Sequence, residues 1–184
     1  ARELSKYVPE VFVNRNVASD AMVHFSDQAL FERDYLPSLD EDQVPTNMRH
    51  AWNWASDQAR KRANGRIRIG YFSGSITHND DFEMILPALC KLLSKYENVE
   101  LFVMGELDIP DELKEFEERI VAESFCEWEK LPRLIARCDI NIAPLRKTIF
   151  NEAKSENKWV EATLVKVPTV ASRVGAFETM IKDG

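Results

Sequence analysis

From Arg66 onward, short apolar runs alternate with longer amphipathic stretches. Ile67-Arg68-Ile69-Gly70-Tyr71-Phe72 predicts a strand, closed by Ser73-Gly74-Ser75. From about residue 81 to 96, Phe82, Ile85, Leu86, Leu89, Leu92 and Leu93 recur at helical spacing. Val99-Glu100-Leu101-Phe102-Val103-Met104 predicts a second strand, ended by Gly105. Pro110 opens a charged helix to about Ala122, at a position where its missing N–H costs nothing. The pattern then predicts a strand from Ser124 to Trp128, a helix over about 130–137 and a strand from Asp139 to Ala143. A helix over about 155–166, a strand from Pro168 to Ala171 and a helical segment over about 176–182 follow. Alternation of this kind predicts an α/β domain: a Rossmann-like, doubly wound parallel sheet with helices on both faces. Ligands in such sheets bind beyond the carboxyl ends of the strands. The loops after Phe72, Met104, Ala143 and Ala171 are therefore the places to look for chemistry.

The first 65 residues follow no such rhythm. Val11-Phe12-Val13 is a short β-type run that stops at Asn14-Arg15-Asn16. A polar stretch with Pro37, Pro45 and Asp40-Glu41-Asp42 predicts a linker with short helices. Residues over about 47–63 predict a helix, with Met48, Ala51, Trp52, Ala55 and Ala59 on one face and Asn64-Gly65 as its stop. The division expected is thus residues 1–65, a partly irregular helical segment, and residues 66–184, the Rossmann-like domain.

Charge narrows the function. Against 24 Lys and Arg stand 31 Asp and Glu, a net charge of -7 over 184 residues. That balance argues against a general nucleic-acid binder. Cys90, Cys126 and Cys138 are odd in number and widely spaced, which gives neither a disulfide framework nor a zinc motif and fits a reducing, cytoplasmic compartment. His24, His50 and His78 are too scattered for a metal cluster. No apolar run reaches about 18 residues, so no membrane-spanning helix is expected.

Two loops carry candidate chemistry. In Ser73-Gly74-Ser75-Ile76-Thr77-His78-Asn79-Asp80-Asp81, small residues would let backbone N–H groups approach an anion, and His78 could donate to a phosphate or a sugar hydroxyl. The loop lacks the spacing of a nicotinamide-dinucleotide fingerprint. Its plainer reading is a strand–helix turn with Asp80 or Asp81 as N-cap. The second loop runs from Ala143-Pro144-Leu145 into a helix. It gathers Arg146, Lys147, Lys154 and Lys158, with Ser155 as a plausible N-cap. Those cations, the helix N-terminus and its N–H groups would converge on an anion. Glu161, a turn beyond Lys158, cannot bind phosphate but could accept from a pair of ribose hydroxyls. The plainer reading here is a surface helix with Lys–Glu pairs worth a few tenths of a kcal/mol, roughly. Location at a strand carboxyl end favours a site. Trp52, Trp54, Trp128 and Trp159 are expected to pack, with Trp159 turned away from Lys158 and Glu161. Phe177 and Met180 are expected on the buried face of the last helix.

Lys154-Ser155-x-x-Lys158-x-x-Glu161-Ala162, followed by Val167-Pro168-Thr169-Val170-Ala171-Ser172, resembles the donor-binding segment of GT-B glycosyltransferases. That family commonly carries two Glu residues at fixed spacing, the second followed by Ala and then Pro, and Glu161 and Pro168 keep this spacing. The sequence departs at Ala153, where the first Glu would fall, and at Lys166, where a small residue is usual. It departs again in the first loop, where Ser75 and Asp80 stand near the family's Arg and Lys. Ser73-Gly74-Ser75, His78, Asp81-Phe82, Ala143-Pro144-Leu145 and Phe150-Asn151 together resemble a bacterial polysaccharide and O-antigen subset of glycosyl transferases group 1, over roughly Arg66 to Gly184.

The resemblance implies the C-terminal, donor-binding domain of such an enzyme, which moves a sugar from a nucleotide-diphosphate sugar to a carbohydrate or lipid-linked acceptor in glycan synthesis. The donor-site residues implied are Gly74, Ser75, His78, Arg146, Lys154, Ser155, Lys158 and Glu161, with the ribose on Glu161 and the diphosphate near Lys154 and Lys158. No metal or other cofactor is expected. No catalytic base is named, because the resemblance places it on an N-terminal domain, of which Val11 to Asn16 resembles the end. The chain is accordingly expected to be a fragment of an enzyme that is cytoplasmic or peripheral at the inner membrane face. A non-catalytic nucleotide- or carbohydrate-binding module on the same fold is the alternative, motivated by the departures at Ala153 and in the first loop. A receiver-like signalling domain is disfavoured, since Asp80 and Asp81 lie too far past the first strand to hold magnesium.

Overall fold

The apolar run Ile67–Phe72 forms strand β1, and it becomes the centre of the sheet. A computed structural model describes residues 6, 7, 10, 16–74 and 79–182. The other strands are β2 (Val99–Met104), β3 (Ile120–Glu123), β4 (Ile140–Ala143) and β5 (Thr169–Ala171). All pair in parallel in the order β3-β2-β1-β4-β5. Gly70 stands opposite Phe102 on one side and Asn141 on the other. The order reverses between β1 and β4, the place where sheets of this kind bind ligands at the strand carboxyl ends.

The helices, in chain order, are α1 (Asp20–Leu30), α2 (Arg49–Ala63), α3 (Asn79–Glu83), α4 (Leu86–Lys95), α5 (Leu131–Ala136), α6 (Ile149–Glu152), α7 (Asn157–Leu164) and α8 (Ala176–Met180). One face of the sheet buries Phe72, Phe102 and Met104 against Ala29, Leu134, Ile135, Ala162 and Val165, from α1, α5 and α7 and the turn after α7. The other buries Ile69, Tyr71, Leu101 and Val103 against Phe82, Leu86, Leu89 and Leu93, from α3 and α4. Each such large side chain contributes about 1.5–3 kcal/mol by leaving water. Packing is close at Gly70, where a Cβ would lie 2.6 Å from the Cys138 sulfur. Among the described residues, no helix is long and apolar enough to cross a membrane.

Several elements differ from the sequence reading. The apolar stretch over 81–96 is two helices, α3 and α4, because Pro87 cannot donate to the ladder and its ring would meet the Glu83 carbonyl. The charged helix after Pro110 is a 3-10 helix that ends at Arg119, and the third strand is Ile120–Glu123, not Ser124 to Trp128. Arg119 fixes that end by donating to the carbonyls of Leu93, Tyr96 and Val99. The polar stretch near the start contains α1, eleven residues long, whose N-cap Ser19 accepts from the Met22 N–H at 3.2 Å. Its buried residues are Ser26 and Ala29, so its inward stripe is too small and polar to stand out as a periodic signal. The β-type run at Val11 to Val13 lies outside the described residues.

Candidate functional site

At the carboxyl edge of the sheet, backbone contacts lock neighbouring loops together. The Ser73 N–H donates to the Met104 carbonyl at 2.8 Å, and the Gly105 N–H to that of Glu123 at 3.0 Å. Gly105 has φ 107, and a Cβ on it would lie 1.9 Å from the Ser73 oxygen, so only glycine fits. The loops after β4 and β5 are joined by the Leu145 N–H, which donates to Ser172 Oγ at 2.9 Å. Gly175, at φ 58, comes so near α6 that a Cβ would lie 2.9 Å from the Glu152 oxygen.

A carboxylate then ties the β1 loop to the β4 loop. Asp81 is 2% exposed, and its Oδ1 accepts from the Arg146 N–H at 2.7 Å and from Asn151 Nδ2 at 2.9 Å. Lys154 Nζ lies 3.6 Å from its other oxygen and 5.0 Å over the Phe150 ring. The Arg146 side chain donates from Nε to the Asp80 carbonyl at 2.7 Å. Neither Asp80 nor Asp81 is the N-cap expected of it; both lie in the first turn of α3.

Helix α7 supplies the other charged groups. Buried Asn141 on β4 donates to the Lys158 carbonyl at 3.2 Å and to Thr169 Oγ1 at 3.1 Å, which fixes the first turn of α7 to the sheet. The Lys158 Nζ is buried, 5.0 Å over the Tyr71 ring, with no hydrogen-bond partner among the described residues. Burial pulls its pKa down to about 8, and Lys154 pulls the same way, while the Asp81 and Glu161 carboxylates oppose them. Burial pushes Glu161 up to about 7 against the attraction of Lys158. A buried ammonium lacking hydrogen bonds is costly, and an anion at this spot would relieve it.

The structure thus brings Arg146, Lys154, Lys158 and Glu161 to this edge. Gly74 is exposed, and among the described residues nothing lies within 4 Å of a Cβ built on it. Ser75 and His78 lie outside the described residues. Ser155 is not the cap expected: α7 starts after Glu156, and no side chain caps it. Trp159 packs beside Leu145, Val174 and Phe177, away from the charged groups as its spacing predicts. Sequence reasoning missed the roles of Asp81, Asn151 and Tyr71. Asp81-Phe82 stood out as a motif, but its partners are remote in sequence.

A cavity of about 400 Å³ also opens between α1, α2 and α5, lined by Arg33, Arg133, Arg137 and Trp54 among others. Its arginines are already paired: Arg33 with Asp34, Arg133 with Glu32, and Arg137 with Glu123. The strand ends, with an ammonium lacking a hydrogen bond, are the stronger candidate.

Comparison with known proteins gives the following. The family model described as glycosyl transferases group 1 matches residues 67–184. A search of curated proteins finds no match. Among solved structures, the chain is similar to the C-terminal domain of a glycosyl transferase group 1 family protein (LpcC) from Francisella tularensis. The identity is 19% and the TM-score 0.46, over 68% of this chain and 69% of that one. It is similar to WaaG, a glycosyltransferase involved in lipopolysaccharide biosynthesis, at 17% identity and TM-score 0.46, over 75% of this chain and 35% of that one. It is also similar to the pneumococcal O-GlcNAc transferase GtfA in complex with UDP and GlcNAc, at 15% identity and TM-score 0.46, over 66% and 24%. The chain therefore spans about a third or less of the latter two. The matched stretch opens at the first residue of β1 and takes in all five strands, both loops of the carboxyl edge and α7. The chain belongs to the glycosyl transferases group 1 family, and this stretch is the part that the family model matches.

Proposed function

We propose that the carboxyl edge of this sheet binds the donor of a sugar-transfer reaction, a nucleotide-diphosphate sugar. One observation carries the reading: buried Lys158, with no hydrogen-bond partner among the described residues, sits a turn from Glu161 at the strand ends. The lysines take the diphosphate, and Glu161 takes the ribose hydroxyls. In transfer, the bond from the sugar's anomeric carbon to the phosphate oxygen breaks and the bond to an acceptor oxygen forms. The leaving diphosphate gains negative charge as this happens, and ammonium groups held in place beforehand favour that change most. The acceptor, a carbohydrate or a lipid-linked one, and the base that takes its proton belong in this reading to an N-terminal domain of the same protein. No metal is assigned a part. Three free cysteines fit a cytoplasmic setting for such glycan synthesis.

The test is transfer from a panel of nucleotide-sugars by the full-length protein. Lys158→Ala and Glu161→Ala are expected to lower turnover at least about tenfold, the scale of one lost charged contact. Full activity in both variants would contradict the assignment. A non-catalytic module remains the second reading, favoured by the internal engagement of Arg146 and Lys154 with the α3 turn. Donor binding without transfer or hydrolysis by the full-length protein would select it.

A further inference from the structure

A carboxylate as deeply buried as Asp81 is out of place beside a site for a diphosphate, which it repels. A neutral residue could accept the same two hydrogen bonds from Arg146 and Asn151. Phe82, fully buried with its ring 4.8 Å from that of Tyr71, fixes the turn that aims the carboxylate inward. The neighbouring charges give the reason. Lys154 and Lys158 are like charges, and Lys154 disfavours the ammonium form of buried Lys158. Facing Lys158 are Lys154, Asp81, Glu161 and the Tyr71 ring. Of the two carboxylates, only Asp81 also reaches Lys154, at 3.6 Å.

We propose that Asp81 is a positioning residue for the donor diphosphate: it presents the ammonium groups of Lys154 and Lys158, and the turn at Arg146, before the ligand arrives, then yields Lys154 to it. The inference rests on the donor-site reading. Binding is then an exchange of one anion for another around Lys154. Two roles are combined in one side chain. The loop tie needs only an acceptor at Oδ1, whereas presenting the lysines needs the negative charge.

Asp81→Asn separates them, since it keeps the acceptor and removes the charge. The affinity of the 184-residue chain for UDP, GDP, dTDP and ADP is measured by calorimetry from about pH 6 to 9, across the window of the Glu161 and Lys158 shifts. The wild-type curve rises as Glu161 ionises near 7 and falls as Lys158 loses its proton near 8. In the variant the falling limb moves to lower pH and the rising limb stays. Affinity drops about threefold or more on the basic side, as for half a pH unit, and holds or improves on the acid side. The nucleotide's own titration is common to both curves. A curve lowered equally at every pH would overturn the proposal, because Asp81 would then only hold the loops. An unchanged curve would overturn it as well. Asn151→Ala removes one tie and keeps the charge, so both limbs should stay in place; a moved basic limb there would also count against Asp81. If the wild-type chain binds no nucleoside diphosphate, the donor reading falls and takes this inference with it. Altered variant behaviour on a wild type that binds bears on Asp81 alone.

Discussion

Glu161 is held in a state that costs the folded protein stability. Its folded pKa, about 7, lies above the ordinary 4.5, so ionising it as pH rises through that window is harder in the folded chain than in the unfolded one. The penalty is absent below about 4.5 and complete above about 7. Glu161→Gln is therefore expected to raise stability at pH 8 by about 1 kcal/mol or more, net of the lost attraction to Lys158, and to change it little near pH 4.5. Urea denaturation at the two pH values measures this. A destabilised Gln variant at pH 8 would mean that the carboxylate serves the fold rather than a ligand. Lys158 also costs stability, with the opposite pH dependence: its depressed pKa costs stability below about 8, and the cost is relieved as pH rises toward the ordinary 10.5. At this scale the sequence was legible where chemistry follows local spacing. Lys158 and Glu161 lie a turn apart on α7, so helical spacing gathers their charges, while Lys154 stands in the loop before that helix. Asp81 was not legible, because an Asp at a helix start resembles a cap, and its partners Arg146 and Asn151 stand 65 and 70 residues away.

At the scale of elements, the glycines show which loops are fixed by the protein and which are left open. Gly105→Ala must displace the Ser73 carbonyl and adopt φ 107, at a cost of about 2–4 kcal/mol. Because Ser73 begins the β1 loop, donor affinity is expected to fall with stability. Gly74→Ala meets no described atom and should leave the thermal midpoint unchanged, so any loss of affinity there reports direct approach of a ligand. Calorimetry and thermal unfolding of both variants check this, and a strongly destabilised Gly74→Ala would contradict it. The strands of the sheet centre were legible because parallel strands buried on both faces read as near-continuous apolar runs, as Ile67–Phe72 and Val99–Met104 do. The edge strand β3 was not, because its residues are mostly exposed and follow directly on a charged helix. Pro87 marks the division of α3 from α4 in the sequence, because its ring clashes with the preceding turn whatever the apolar spacing.

In the molecule as a whole, charged groups cluster at both ends of the sheet. At the amino edge, Asp139 accepts from the Arg68 N–H at 2.7 Å and from Arg62 Nε at 2.8 Å, while Arg68 pairs with Glu100 at 2.7 Å. These charges bind α2, β1, β2 and β4 to one another. At the carboxyl edge, a chain of net charge -7 concentrates cations around one loop and one helix start. That concentration in an acidic protein was legible, and so was the family, since several short motifs occur in order at successive strand ends. The arrangement of charges at the two edges depends on contacts between distant residues and needed the fold. The most direct test of the central claim is calorimetric binding of UDP, GDP, dTDP and ADP to the 184-residue chain, with Lys158→Ala and Glu161→Ala beside it. Selective binding of a nucleoside diphosphate that is lost in both variants is the predicted result. Binding that survives in both would contradict the account, since the diphosphate and ribose would then lie elsewhere.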